Sequence, residues 1–321
     1  MQITRNNKKK FKLSTVIILL FVAIFLFIIF SLSSRDFITY KNLSSMLRNM
    51  VIIGLLSLGL TPLMIAGGID ISFGSSISLT SLIIAILYNY GLNIFLSITI
   101  GIIFAIFIGA INGILIEVFD LIPLLLTIGT LSILQAFALI ISNTQSVAIL
   151  DDRLYFFATK SFLKIPYPLF ILIFFILAYW LILNFTKTGK TIYAIGGNPK
   201  VSLLFGIKVK KVKILLYLFM GLATGVAAVV QTALSGVGYP TLGQNLMMPS
   251  LSAVLIGGIS LDGGKGTVLG TILGVFIMAI VFNGLSMLNV PTFFVQLLQG
   301  VTLLVIVTTY EVKNRKTNLK Y

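Results

Sequence analysis

About ten apolar runs, most of them close to twenty residues long and joined by short polar links, leave this chain few ways to fold. They cover Leu13–Leu32, Leu47–Ala66, Phe73–Tyr90, Leu92–Ile116, Leu121–Ile141, Pro166–Phe185, Ile214–Leu234, Met248–Leu261, Thr267–Met287 and Pro291–Tyr310. A helix crosses the hydrocarbon core of a bilayer with about 20 mostly apolar residues. The spacing therefore predicts an all-α polytopic membrane protein of about ten spans. Met248–Leu261 is short and suits a half-span. Only 10% of the residues are charged, against about 25% in soluble domains, so the bilayer must act as the solvent.

Charge sets the orientation. The formal net charge of +15 would suggest nucleic acid in a soluble domain; here it marks cytoplasmic loops, where Lys and Arg collect, and no nucleic-acid partner is implied. Arg5, Lys8, Lys9, Lys10 and Lys12 precede the first run. That run exceeds the 7–15 residues of a signal-peptide core, and Ser31-Leu32-Ser33-Ser34 is a poor cleavage site, which predicts an uncleaved first span with a cytoplasmic N-terminus. Lys187, Lys190, Lys200, Lys208, Lys210, Lys211 and Lys213 fill the link after the sixth run, and Lys313, Arg315, Lys316 and Lys320 fill the tail. Ten crossings put all three basic blocks inside. The opposite link, Ser142 to Ile165, is mixed: Asp151, Asp152, Arg153, Lys160, Lys164. The expected organisation is a basic N-terminus over 1–12, a membrane domain over 13–310 with a cytoplasmic loop at about 186–213, and a basic tail over 311–321. A multi-pass protein of the cytoplasmic membrane, with both termini inside, follows from this reading.

The chain has no Cys and no His. Disulfides, thiolate nucleophiles, imidazole bases and Cys/His metal sites are excluded, and neither a catalytic residue nor a metal ligand is assigned. Two segments echo the nucleotide-binding loop, Gly-x4-Gly-Lys-Ser/Thr. Before Gly264-Lys265 the first position is Ile259, and Gly266 stands where Ser or Thr belongs. In Asn184–Thr191 the first residue is Asn, and a membrane run replaces the buried strand. ATP is therefore expected on another chain.

Three segments break the apolar pattern. Gly67-Gly68-Ile69-Asp70-Ile71-Ser72 leaves almost no room for a loop; it reads as a broken or re-entrant segment, with Asp70 or Ser72 capping a new helix. Gly257-Gly258, then Asp262-Gly263-Gly264-Lys265-Gly266, prevents a regular helix and allows close backbone approach. These segments are the candidate gate. In Gly196-Gly197-Asn198-Pro199-Lys200, Asn198 suits an N-cap and Pro199 the first helical position, and Gly206 can stop the helix. The result is a short capped helix with an apolar edge of Val201, Leu204 and Phe205, shaped to dock on another protein or to lie on anionic lipid. Within the spans, Asn112, Thr127, Thr130, Gln135, Gln231, Asn283, Gln296 and Gln299 pair between helices or line a path for a neutral solute. Ala66–Asp70 echoes Ile256–Ser260, and Asn112-Gly113 before Pro123 echoes Asn283-Gly284 before Pro291, as in transporters with internal repeats.

At these segments the sequence resembles the permease family of ribose-type ABC sugar importers. The resemblance is carried by Gly67–Ser72 with Gly74-Ser75, Asn112-Gly113, Pro123, Thr127–Thr130, Tyr193–Pro199 with Gly206-Ile207, Gly257-Gly258 through Gly266 with Gly270, and Asn283-Gly284. It implies a second permease chain, identical or paralogous, two cytoplasmic ATPases holding ATP and Mg, an extracytoplasmic solute-binding protein, and no cofactor in this chain. It also implies that Gly196, Gly197, Asn198, Pro199, Lys200, Leu204, Phe205 and Gly206 couple to the ATPase. One departure is Lys200-Val201-Ser202, where the family often has Glu-Ala-Ala. Related families carry nucleosides or branched-chain amino acids. An ion-coupled secondary transporter is the alternative of another class.

Overall fold

The computed structural model describes residues 3–291, 293–301, 304–305 and 308, with side chains from residue 15. Its helices are α1 (Ile3–Ser33), α2 (Tyr40–Ile65), α3 (Phe73–Asn89), α4 (Ile94–Val118), α5 (Pro123–Ser142), α6 (Asp152–Thr159) and α7 (Tyr167–Phe185). They continue with α8 (Lys187–Gly197), α9 (Pro199–Leu204), α10 (Val209–Ser235), α11 (Gln244–Ile256) and α12 (Val268–Met287). A further helical stretch runs over 293–301. Four two-residue strands, β1 (Val147–Ala148), β2 (Ser161–Phe162), β3 (Ile165–Pro166) and β4 (Val237–Gly238), form two antiparallel pairs, β1 with β4 and β2 with β3.

The centre is α2. Leu55, Leu56, Leu58, Leu60, Leu63 and Ile65 are all fully buried, and from Met50 to Ile65 every residue of α2 is buried, so this half of the helix is mostly apolar on all faces because protein surrounds it. Packed between α4, α5 and α10, α3 is buried along most of its length, although it carries Ser75, Ser76, Ser78, Thr80 and Ser81. Around this core, α4 and α5 turn exposed apolar rows outward, including Ile103, Phe107, Ile133, Phe137 and Ile140. Such rows are stable in lipid, where apolar exposure carries no penalty. α4 and α10 approach closely. A Cβ on Gly109 would overlap the Tyr217 carbonyl oxygen, and one on Gly221 would lie 2.5 Å from that of Ala105. Small residues spaced by four let membrane helices touch backbone to backbone.

Seven helices among the described residues are long and apolar enough to cross a membrane: α1, α2, α4, α5, α7, α10 and α12. The expected count of about ten is not reached by full-length helices. α3 has 17 residues, because the glycine-rich segment before its run is not helical, and α11 has 13, because its run gives way to the glycine-rich loop after Ile256. The short run at Met248–Leu261 is half a helix and half a glycine loop. The last run, Pro291–Tyr310, lies only partly within the described residues, and the basic tail lies outside them.

The sequence echo has a structural counterpart. α2 ends with Gly67 N–H donating to Met64 O and Gly68 N–H to Leu63 O; α11 ends with Gly258 N–H donating to Leu255 O and Ile259 N–H to Val254 O. Both are the same C-terminal motif, with a left-handed residue at φ 76° in Gly67 and 83° in Gly258. The match is offset by one residue from the sequence alignment, since Gly67 corresponds to Gly258.

Candidate functional site: a glycine junction and a buried polar chain

The three glycine-rich segments meet. Gly264 N–H donates to Ile65 O at the end of α2 (2.8 Å), and Tyr193 O–H on α8 donates to Gly266 O (2.9 Å). Burial raises the Tyr193 phenol above its ordinary range and keeps it a neutral donor. A Cβ on Gly196 would overlap both Ile65 O and Gly264 N, and one on Gly263 would lie 3.1 Å from Gly196 O. Three backbones separated widely in sequence thus touch at one point, and a side chain there would force them apart. Gly257 and Gly258 end the helix leading into this loop, while Asp262 and Lys265 are exposed on it.

From this junction α9 projects. Asn198 accepts from Val201 N–H (3.1 Å), Pro199 opens the helix, and Gly206 follows it at φ 76°. The local reading of this segment is met at each position. Leu204 is 86% exposed and Phe205 81%, with Val201 and Lys200 also exposed. Nearby, Lys210 pairs with Asp120 (3.0 Å) and Lys213 with Glu117 (3.4 Å), tying the end of α4 to the start of α10.

The break after α2 leads into a buried polar chain. Asp70 is 3% exposed. Its Oδ1 accepts the Ser72 N–H and the Ser72 hydroxyl, both at 2.7 Å. Asn112 Nδ2 donates to Ser72 Oγ (2.9 Å), and Thr130 Oγ1 donates to Asn112 Oδ1 (2.8 Å). Tyr217 O–H donates to Ile69 O (3.0 Å). The break is therefore pinned to α4, α5 and α10. The expectation that Asp70 or Ser72 caps α3 is corrected: Ser72 holds the N-cap position without a side-chain capping bond, and Asp70 is spent on Ser72 itself. Asn112 lies six residues before the end of α4, about 9 Å along the helix.

The predicted path residues have separate fates. Asn112 and Thr127 are fully buried, and the Thr127 hydroxyl bonds back to Pro123 O. Both face packed protein here, because the Asp70 chain or the helix backbone uses their polar atoms. Asn283 and Asn42 exchange amide hydrogen bonds at 2.8 Å, joining α12 to α2. Gln135 is half-buried and donates to Pro240 O (2.9 Å). Gln231 and Gln299 are half-buried, and Gln296 is exposed. Sequence reasoning missed Asn42, Tyr217 and the α4–α10 seam. Small residues at 101, 105, 109 and 113 could have signalled the seam; nothing local marks Tyr217.

A buried helical core, lipid-facing outer rows and an irregular junction under a projecting helix define a polytopic membrane transport subunit. Residues 42–307 match the family described as branched-chain amino acid transport system / permease component, and the chain belongs to that permease family. It is 33% identical over 284 residues to the ribose import permease protein RbsC of Bacillus subtilis (strain 168), covering 88% of each chain. It is 32% identical over 286 residues to the L-arabinose ABC transporter permease protein AraH of Azospirillum brasilense, covering 89% of this chain and 84% of that one. It is 33% identical over 278 residues to the autoinducer 2 import system permease protein LsrD of Escherichia coli (strain K12), covering 85% and 84%. No solved structure matches it.

Proposed function

We infer that this chain is the membrane-spanning permease of an ATP-driven importer for a sugar or sugar-like solute. The observation that carries this is the convergence of the three glycine segments beside α9, in a chain whose relatives are named for ribose, arabinose and autoinducer 2. The chain performs no covalent chemistry. ATP and Mg sit on partner ATPases, two per complex, which seat α9 and the Gly196–Gly206 segment. A second permease chain completes the path, and an extracytoplasmic binding protein delivers the solute. Movement of α9 passes through Gly196 to the end of α2 and to the 257–266 loop, and the Asp70–Asn112–Thr130 chain opens or closes with it. Gln231 and Gln296 remain candidates for the path wall.

About ten passes remain the preferred topology, with residues 66–72 completing α3 and 236–243 completing α11. Both termini are then cytoplasmic. The family description favours a branched-chain amino acid as the alternative solute, and the buried Asp70 favours ion coupling as the alternative mechanism. One uptake experiment separates these readings. Cells carrying the whole system should take up labelled D-ribose or L-arabinose after ionophores collapse the ion gradients while ATP is held high, and should stop when ATP is depleted. Uptake that dies with the gradients argues for ion coupling; uptake of leucine but of neither sugar moves the solute class.

A further inference from the structure

Residues 236–243 join α10 to α11 as a strap laid along α3. At its outer end β4 pairs with β1. A Cβ on Gly238 would lie 2.5 Å from Ser81 O. Pro240 O accepts from Gln135, and Gly243 N–H donates to Ser78 Oγ (2.9 Å). A Cβ on Gly243 would overlap the Gly74 carbonyl oxygen. The strap thus descends α3 from Ser81 to Gly74, about 10 Å. α11 then meets α2, where the Ser57 hydroxyl donates to Ser250 O (3.1 Å). Ser57 is eight residues from the inner end of α2, so the first turn of α11 lies about 20 Å from that end. That is within a hydrocarbon core of about 30 Å.

Non-helical backbone at this depth is stable only when packed in protein or facing water. One side of the strap is packed on α3. The other carries Tyr239, Gln244 and Asn245, all exposed, with Thr241 half-buried. Asn245 Oδ1 accepts from Gln296 Nε2 (3.4 Å), and a groove lined by Phe282, Ser286, Asn289, Val290, Pro291 and Val295 adjoins Gln296. Exposed amides turned toward lipid would leave their donors and acceptors unsatisfied. The outer rows of α4 and α5 show what this chain presents to lipid: Ile103, Phe107, Ile133 and Phe137.

We propose that this face of the strap, with the first turn of α11, is a water-lined wall of the translocation path that contacts a neutral, polyhydroxylated solute. The inference rests on the importer reading above. Gln244, Asn245 and Gln296 each both donate and accept, as solute hydroxyls do. The Tyr239 ring offers an apolar face to the C–H side of a sugar ring. No acid or base stands among these residues, so an ionised solute meets no counter-charge here. Gln135 touches no solute; it is a positioning residue that fixes Pro240.

The absence of cysteine makes the test direct. Tyr239→Cys, Gln244→Cys and Asn245→Cys are made singly in the complete transporter, with Phe107→Cys and Phe137→Cys as lipid-facing references. Opened membranes are treated with the water-soluble reagent 2-(trimethylammonium)ethyl methanethiosulfonate. The three strap cysteines are expected to react at least about tenfold faster than the references. Asn245→Leu is expected to raise the uptake KM for D-ribose or L-arabinose about three- to tenfold, the loss of one neutral hydrogen bond. Strap cysteines no more reactive than Phe107→Cys, in membranes whose wild-type transporter takes up sugar normally, would overturn this inference alone. A wild type that takes up neither sugar under ATP would overturn the importer reading instead, whatever the labelling shows.

Discussion

At the scale of single residues, Gly196 and Gly197 are neighbours with different surroundings. A Cβ on Gly196 meets backbone atoms of α2 and of the 257–266 loop, whereas one on Gly197 meets nothing within 4 Å. Backbone cannot rotate away as a side chain can. Gly196→Ala should therefore cost about 3 kcal/mol, the upper end of overpacking, and lower both the membrane content and the melting temperature in detergent. Gly197→Ala should be neutral or stabilise by up to about 1 kcal/mol through helix propensity. Equal melting of the two variants would refute the junction. A second residue-level prediction concerns pH. Asp151 caps α6 by accepting from Arg153 N–H (2.9 Å) and Leu154 N–H (3.3 Å), and the Arg153 guanidinium lies 2.7 Å away. The hydrogen bond from Arg153 is the largest reason that the Asp151 carboxyl sits below its ordinary range. A depressed carboxyl contributes stability above its unfolded pKa, about 3.9, and loses it as pH falls through the lower folded value. The Leu154 amide should keep its protection from hydrogen exchange from pH 7 down to about 5 and lose it only in stronger acid. Asp151→Ala should cost about 1 kcal/mol of local stability at every pH above that.

Among the elements, α9 was fully legible because each of its signals is local: Asn198 accepts from Val201 N–H as its cap, Pro199 pre-sets the first turn, and Gly206 stops the helix. Its exposed apolar edge also makes a clean experiment. Leu204 touches little within this chain, so Leu204→Asp should leave melting unchanged. If the ATPase covers that edge, the same change buries a charge without a partner and costs about 2 kcal/mol or more. Uptake and co-purification with the ATPase should then fall together, in membranes holding normal amounts of permease. Wild-type values for both would assign α9 to the lipid surface. By contrast, the first residue of α11 was not legible. Met248 opens the apolar run, but the helix begins at Gln244, because Ser78 and Gly74 hold Gly243 in place from another part of the chain.

For the whole molecule, contacts between distant segments sort the links onto two sides. Tyr88 and Asn89, at the end of α3, donate to Leu150 O and Ala148 O, and β1 pairs with β4. The ends of α3 and α10 therefore share a side with the 143–166 link. The Lys210–Asp120 and Lys213–Glu117 pairs place the end of α4 and the start of α10 on the opposite side, with α8 and α9. Lys160→Cys, in the first group, should react with a membrane-impermeant thiol reagent in intact cells. Lys200→Cys, in the second, should react only after the membrane is opened. The reverse pattern would invert the topology.

The membrane class, the positions of most spans, the glycine breaks and the capped helix α9 followed from sequence, because each depends on composition or on residues within a turn of one another. Hydropathy registers the solvent that a segment needs, and caps and stops act over a few residues. The site itself was decided only by tertiary structure. Nothing near Gly196 in sequence shows that Ile65 and Gly264 close upon it, and nothing near Asn112 shows that Ser72 and Thr130 absorb its amide. The same amide at membrane depth can face a partner helix or a water-filled path, as Asn283 and Asn245 do respectively under the assignments above. Its chemistry permits either; only the packing of the neighbouring helices chooses.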